Sequence, residues 1–244
     1  MSASSPRFFC PTPLAEGQSL SLPPGAARHA QVLRLQPGSA VTLFDGLGGQ
    51  WAAQIERMGR SEVQALVGAH QAIECEAPRA VHLALGMPAN ERMDWLVEKA
   101  TELGCAGFSP LMTERAVLRL SGERAERKQA HWQGIASAAC EQCGRNRVPS
   151  VAPVQDFARW RASLSSSQDM HRFVLSLDPQ AAPIGQRLAM PGPVLLLSGP
   201  EGGLSPAEIQ AALDSGFEAV SLGARVLRAD TAPLAALAAL TLTA

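Results

Sequence analysis

Two stretches near the end of the chain hold residue types that handle ligands. Gly199-Pro200-Glu201-Gly202-Gly203 supplies three glycines, which tolerate positive φ and let a ligand approach bare backbone. Leu222-Gly223-Ala224-Arg225-Val226-Leu227-Arg228 joins one glycine to apolar side chains and two arginines. No Lys-Ser or Lys-Thr follows the glycines and no G-x-G-x-x-G opens a helix. A triphosphate-cradling loop is therefore not written here, and an ordinary dinucleotide fold is weakened.

The elements that must position these loops are two strand–loop–helix units in tandem. Val194–Ser198 reads as the strand before the first loop. Ser205, Pro206 and Glu208 then give an N-cap, a first helical proline and a capping-box acid. A second helix begins near Asp230 or Thr231, with the Asp230 carboxylate as N-cap. In open α/β sheets ligands collect outside the carboxyl ends of the strands, so two such loops from neighbouring strands imply one pocket. The tight-turn alternative, two loops without a ligand, suits either glycine alone better than both loops together.

Upstream, strand and helix patterns alternate, which argues for α/β with a largely parallel sheet. Ala80–Leu85, Gly107–Leu111 and Arg172–Leu177 read as strands. Glu91–Leu103 is expected to be helical, with Met93, Leu96, Val97, Ala100 and Leu103 on one face. Glu123–Cys143 reads as a long helix, and the Ser-rich Ser163–Gln168 as a mobile link. The first 74 residues instead read as a small β-rich module, with short apolar runs at Arg7–Cys10, Ser39–Phe44, Gln50–Ile55 and Glu62–Val67. One helix, roughly Ala26–Leu35, interrupts them. Glu74-Cys75-Glu76-Ala77-Pro78 marks the boundary, giving domains at 1–74 and 75–244.

With 244 residues, 46% hydrophobic and 18% charged, the chain is ample for a buried core. It shows no signal-peptide core and no run near the ~20 apolar residues of a membrane helix, so the cytoplasm is the default address. Five scattered cysteines argue against a secreted disulfide scaffold. Cys140 and Cys143 form a lone CxxC inside a helix pattern, without the second ligand pair that zinc needs; helix packing is the better account, and no metal is expected. Net charge is −1, but its distribution is uneven. Residues 113–150 hold seven basic residues against four acids, whereas 201–244 hold two against five.

Read together, GPEGG-x-S-x-x-E and LG-x-RVLR resemble the C-terminal signature of the RsmE family, bacterial SPOUT-class enzymes. The block Ala138–Pro149 (AACEQCGRNRVP) is similar to the family's central block. Lys99–Gly104, Pro110–Arg115, Arg28–Arg34 and Leu43–Gly46 match in the expected order. The resemblance implies a SPOUT-type parallel sheet with a C-terminal trefoil knot, an N-terminal PUA-like β-barrel for RNA, and a homodimer. It implies S-adenosylmethionine as methyl donor and N3 of a uracil in 16S rRNA of the small ribosomal subunit as acceptor.

On that reading Gly199, Glu201, Gly202, Leu222, Gly223, Val226 and Leu227 hold the donor. Arg228 is the first choice to stabilise the uracil anion, with Arg145 and Arg147 as helpers. Glu201 is either a proton acceptor or a loop-stabilising hydrogen-bond acceptor. Arg7, Arg28, His29, Arg34, Arg115 and Arg145 are the candidate RNA contacts. The family's Thr-Glu-Thr after the arginine is replaced here by Ala229-Asp230-Thr231. That departure keeps open a catalytically idle RNA-binding factor, beside a SPOUT enzyme acting on another RNA position.

Overall fold

The computed structural model describes residues 5–60, 62–164 and 169–242. Contacts divide the chain into two compact units, Met1–Glu76 with Ser137–Val148, and Ala77–Ala136 with Pro149–Ala244. The first unit is not contiguous: it takes in the block that holds Glu141, Arg145 and Arg147.

The first unit runs β1 (Arg7–Phe9), β2 (Ser19–Ser21), α1 (Pro24–Val32), β3 (Ala40–Phe44), β4 (Gln50–Met58) and β5 (Val63–Gln71). Its sheet has the order β1-β3-β4-β5-β2, with β1 parallel to β3 and the other pairs antiparallel. Alternation decides which face is covered. Val41 and Leu43, Ala53 and Ile55, and Val63, Ala65 and Val67 are buried, and the small residues Ala26, Ala27 and Ala30 of α1 join the same cluster. The helix starts earlier than the sequence pattern suggests because a proline opens its first turn. It stops where Arg34 takes φ 54°, a left-handed end that is rare for a residue with a Cβ. The three-residue pairing of Ser19–Ser21 with β5 was too short to read from periodicity.

The second unit runs β6 (Val81–Gly86), α2 (Asn90–Glu102), β7 (Cys105–Met112), α3 (Gly122–Cys143), β8 (Ser150–Val151), β9 (Gln155–Asp156), α4 (Phe157–Ala162), β10 (His171–Leu175) and β11 (Ala182–Pro183). A 3-10 turn (Ile184–Arg187), β12 (Val194–Ser198), α5 (Pro206–Leu213), β13 (Glu218–Ser221) and α6 (Thr231–Leu242) complete it. The final residues of α3 fall in the first unit. The sheet order is β11-β13-β10-β12-β6-β7-β8, with β9 also on β7, and each of these pairings is parallel.

A parallel sheet covered on both faces wants strands without alternation, and all five residues of β12 are buried. The expected α2 face is present: Met93, Leu96, Val97 and Ala100 are fully buried, Leu103 partly. Asp94 pins this helix to α3, accepting from Trp132 Nε1 at 2.9 Å and lying 2.8 Å from His131 Nε2. Helix α6 is apolar all round, which suits a buried helix; Leu234, Ala236, Leu237 and Leu240 are buried. Thr241 keeps its hydroxyl satisfied on the Leu237 and Leu103 carbonyls, at 2.8 and 3.1 Å. Helix α4, unread from the sequence, is short but capped by Asp156 and anchored by buried Phe157 and Trp160. Within the Ser-rich segment, residues 165–168 lie outside the described residues. No helix among the described residues is long and apolar enough to cross a membrane.

Candidate functional site

Strands β13, β10 and β12 are sheet neighbours. Residues from the segments that follow them, Leu222, Gly223 and Arg225–Ala229, Ser176–Leu177 and Gly199–Leu204, line one cavity of about 570 Å³. That volume lies within the range of small-molecule sites. Both loops picked from the sequence therefore meet, as the crossover geometry of a parallel sheet requires. The third contributor, the segment after β10, was missed: Leu175, Ser176 and Leu177 carry no motif, and only their place in the strand order brings them here.

Local chemistry shapes the first loop. A Cβ on Gly199 would sit 2.7 Å from Leu204 N and 2.9 Å from Gly203 C, because the loop folds back on itself at that point. Ser205 and Glu208 form the full capping box at the start of α5, with Ser205 N–H donating to Glu208 Oε2 at 2.9 Å. The other oxygen of Glu208 accepts from Glu114 N at 2.8 Å, tying the loop to the residues after β7. Arg115 Nη1 donates to the Gly202 carbonyl at 3.1 Å. In the second loop Gly223 takes φ +94° and Ser221 Oγ accepts its N–H at 3.1 Å. Val226 and Leu177 both face the cavity although 78% and 69% exposed; large aliphatic side chains left this open offer apolar walls to a flat ligand.

Glu201 lines the cavity with its carboxylate already engaged. Its Oε1 accepts from Ala89 N at 3.0 Å and from Arg92 Nη1 at 3.2 Å. Ala89 is the N-cap residue of α2 and has no side-chain cap of its own, so a carboxylate from another element serves there. Arg92, which the sequence did not single out, thereby joins the lining. Asp230 stands just before α6 and accepts from Thr231 N at 3.0 Å.

Four arginines line the cavity: Arg92, Arg115, Arg225 and Arg228. The first two are committed to Glu201 and Gly202. For the guanidinium groups of Arg225 and Arg228, both exposed, there is no partner among the described residues.

The remaining candidates belong to the first unit. Arg145 is 4% exposed and its Nε and Nη2 donate to Glu76 Oε2 at 3.0 and 2.5 Å. Arg7 donates to Gln50 Oε1, Asn146 Oδ1 and the Arg145 carbonyl at 2.6, 2.6 and 3.1 Å, and lies 5.0 Å from the Phe44 ring centroid. Burial lowers its pKa. Arg145 and Arg7 thus sit in an internal network, in which Arg7 Nε is buried without a hydrogen-bond partner among the described residues. Arg147 is exposed but paired with Glu74 at 3.3 Å. Arg28 and Arg34 are exposed, with no side-chain partner among the described residues. His29 is 3.8 Å from Glu141 and stacks edge-on against Phe8. Cys140 is buried in α3, where burial pushes its thiol up to about 12; such a thiol stays protonated and packs as a small apolar group.

A family model described as an RNA methyltransferase domain matches residues 75–241, and one described as an RNA methyltransferase PUA domain matches residues 22–68. A protein of Synechocystis sp. named ribosomal RNA small subunit methyltransferase E is 35% identical over 210 residues, covering 85% of this chain and 67% of that protein. A Bacillus subtilis protein of the same name is 29% identical over 236 residues, 93% of this chain and 91% of its own. The crystal structure of the Neisseria gonorrhoeae protein of that name bound to S-adenosyl methionine superposes with a TM-score of 0.89 at 35% identity, covering 97% and 96% of the two chains. A putative methyltransferase from Legionella pneumophila, in complex with the same cofactor, gives 0.91 at 33% identity over 98% and 97%.

Proposed function

This chain belongs to the ribosomal RNA small subunit methyltransferase E (RsmE) family, and we propose that it transfers a methyl group from S-adenosylmethionine to N3 of one uridine in 16S rRNA. The observation that carries the reading is a single cavity built from both glycine-bearing loops and containing an arginine, Arg228, with no partner among the described residues. The residues present fit the donor. Backbone groups of Gly199, Gly202, Leu222 and Gly223 suit the edges of an adenine and a ribose, and Leu177, Val226 and Leu227 suit its ring faces. Bound there, S-adenosylmethionine supplies an electrophilic methyl group.

The chain's own residues hold and orient. Fixing two reactants in line supplies a large part of the barrier reduction. As N3 loses its proton, negative charge spreads to the uracil carbonyl oxygens, and the Arg228 guanidinium stabilises it. Glu201 braces the first loop against α2, with its carboxylate already engaged by Ala89 N–H and Arg92. The reading includes residues 1–74 as a PUA-like barrel and 75–244 as the methyltransferase domain with a C-terminal trefoil knot. It also includes a homodimer and a small ribosomal subunit as partner, with Arg28, His29, Arg34 and Arg115 on the RNA.

Tritiated methyl transfer to small subunits from undermethylated cells tests the reading, with the product mapped to the base. Label at N3 of one uridine is expected; label on a ribose or on another base would replace the acceptor, and none at all would remove the reaction. A second reading, an idle RNA-binding factor, draws on Ala229-Asp230 standing where the family has Thr-Glu. Calorimetric titration with S-adenosylmethionine separates the two, since an idle factor gives no heat.

A further inference from the structure

Beside the loop-built cavity lies a second one, of about 350 Å³, lined by Ala89, Val117, Leu118, Arg119 and Arg124. The two are adjacent through Ala89, which lines the second while its N–H donates to Glu201 of the first. Nothing in the donor's chemistry requires this second space.

Its lining has a definite character. Three residues are apolar, two are arginines, and none is an acid. Val117 is 78% exposed on the segment after β7, too open to belong to a core. Arg119 is held in place by one Nη on the Glu114 carbonyl at 2.6 Å. Arg124, on the first turns of α3, has no side-chain partner among the described residues, while its neighbour Glu123 is paired with Arg127 at 3.4 Å. Two guanidinium groups over an apolar floor match a nucleotide, with charge for the phosphodiester and hydrocarbon for the base or ribose.

We infer that this second cavity seats a nucleotide of the target strand adjacent to the one being methylated, its phosphodiester between Arg119 and Arg124 and its base or ribose against Val117. The inference rests on the RNA-methylating reading and deepens it. It gives the enzyme a grip on the strand beside the reacting base, independent of its first unit. The ligand class is single-stranded RNA backbone, whose release of counterions makes each phosphate contact visible as salt dependence.

The test compares the wild-type enzyme with R119Q/R124Q, V117E and the control R127Q, using undermethylated small subunits as the probe. KM for subunits, kcat, the donor Kd and the salt dependence of kcat/KM are measured for each. For R119Q/R124Q, a rise of about tenfold in KM is expected, with the salt slope reduced by about 0.7 to 1. Its kcat and donor Kd should stay within about twofold of wild type, because losing a contact made equally in the ground and transition states raises KM and leaves kcat alone. V117E, which adds a negative charge to the cavity, should raise KM at least as far. R127Q removes one charge from the exposed face nearby and should change none of the four. Were R119Q/R124Q to match R127Q in KM and slope, the cavity would hold no RNA. A joint loss of donor binding and kcat would also overturn the inference, making the cavity a support for the donor site. Wild-type enzyme that binds donor yet labels no subunit would remove the methyl-transfer reading itself, and this inference with it.

Discussion

In the first unit Arg7 and Arg145 enter an internal network, donating to Gln50, Asn146 and Glu76. In the second unit Arg225 and Arg228 line the candidate donor cavity without a partner among the described residues. The residue type is the same, and the local supply of acids runs the other way: residues 201–244 hold five acids against these two arginines. Each of the five is engaged elsewhere. Glu201 takes Ala89 N–H and Arg92, Glu208 takes Ser205 and Glu114 N–H, Asp214 takes Gln210, Glu218 takes Arg187 and Asp230 takes Thr231 N–H. Arginine becomes available to a ligand when nearby carboxylates are occupied in capping helices and bracing loops. Net charge over a segment is blind to that.

The contrast can be broken most forcefully at Arg145. Replacing it with alanine leaves Glu76 without its buried partner, and a stability loss of about 3 kcal/mol or more is expected in denaturant titration. Full stability in that variant would show the network to be dispensable. Next comes Arg228→Ala, expected to leave stability within about 0.5 kcal/mol while lowering kcat by about 100-fold, the scale of one lost charge-stabilising group. Donor affinity should be unchanged; equal loss of both would move Arg228 into the binding set.

A smaller effect is expected from Glu201→Gln. The amide oxygen can still accept from Ala89 N–H, and the half-exposed pair with Arg92 is worth about 1 kcal/mol at most, so donor affinity should fall by no more than about fivefold. A loss of turnover beyond about 100-fold with donor affinity kept would instead mark Glu201 as the proton acceptor.

Glu141→Gln sharpens the first-unit side of the comparison. Burial raises the pKa of Glu141 from its ordinary 4.5, against the N–H of Phe9 and the charges of His29 and Arg7, which act to lower it. A carboxyl whose pKa is higher folded than unfolded contributes stability below its unfolded pKa and loses it as pH rises through the folded one. Glutamine keeps an acceptor for Phe9 N–H, now 2.8 Å from Oε1. The variant should therefore match or slightly exceed wild-type stability at pH 7, and the loss of stability just above pH 4.5 should flatten. A variant less stable than wild type at pH 7 would contradict this.

Much of the site was written locally. The Ser205-Pro206-Glu208 start, the glycines of both loops, the buried run of β12 and the apolar stripe of α2 each follow from residues within a turn or two of one another. Short-range chemistry of that kind is decided by backbone sterics, missing hydrogen-bond donors and side-chain period. The strand ranges were read to within a few residues for the same reason, while β8, β9 and β11, at two residues each, have no period to read.

What the sequence alone determined, then, was most of the longer elements and the pair of loops that line one cavity. Only the tertiary structure decided which charges are left over. Glu201 reaches Ala89 across more than a hundred residues, Arg145 reaches Glu76 across sixty-nine, and Leu177 enters the cavity because β10 lies between β12 and β13. Such pairings depend on strand order and chain crossover, which bring together residues whose separation in sequence carries no signal. The physical reason is that a hydrogen bond or an ion pair is decided by ångströms in space, and periodicity reports only neighbours along the chain.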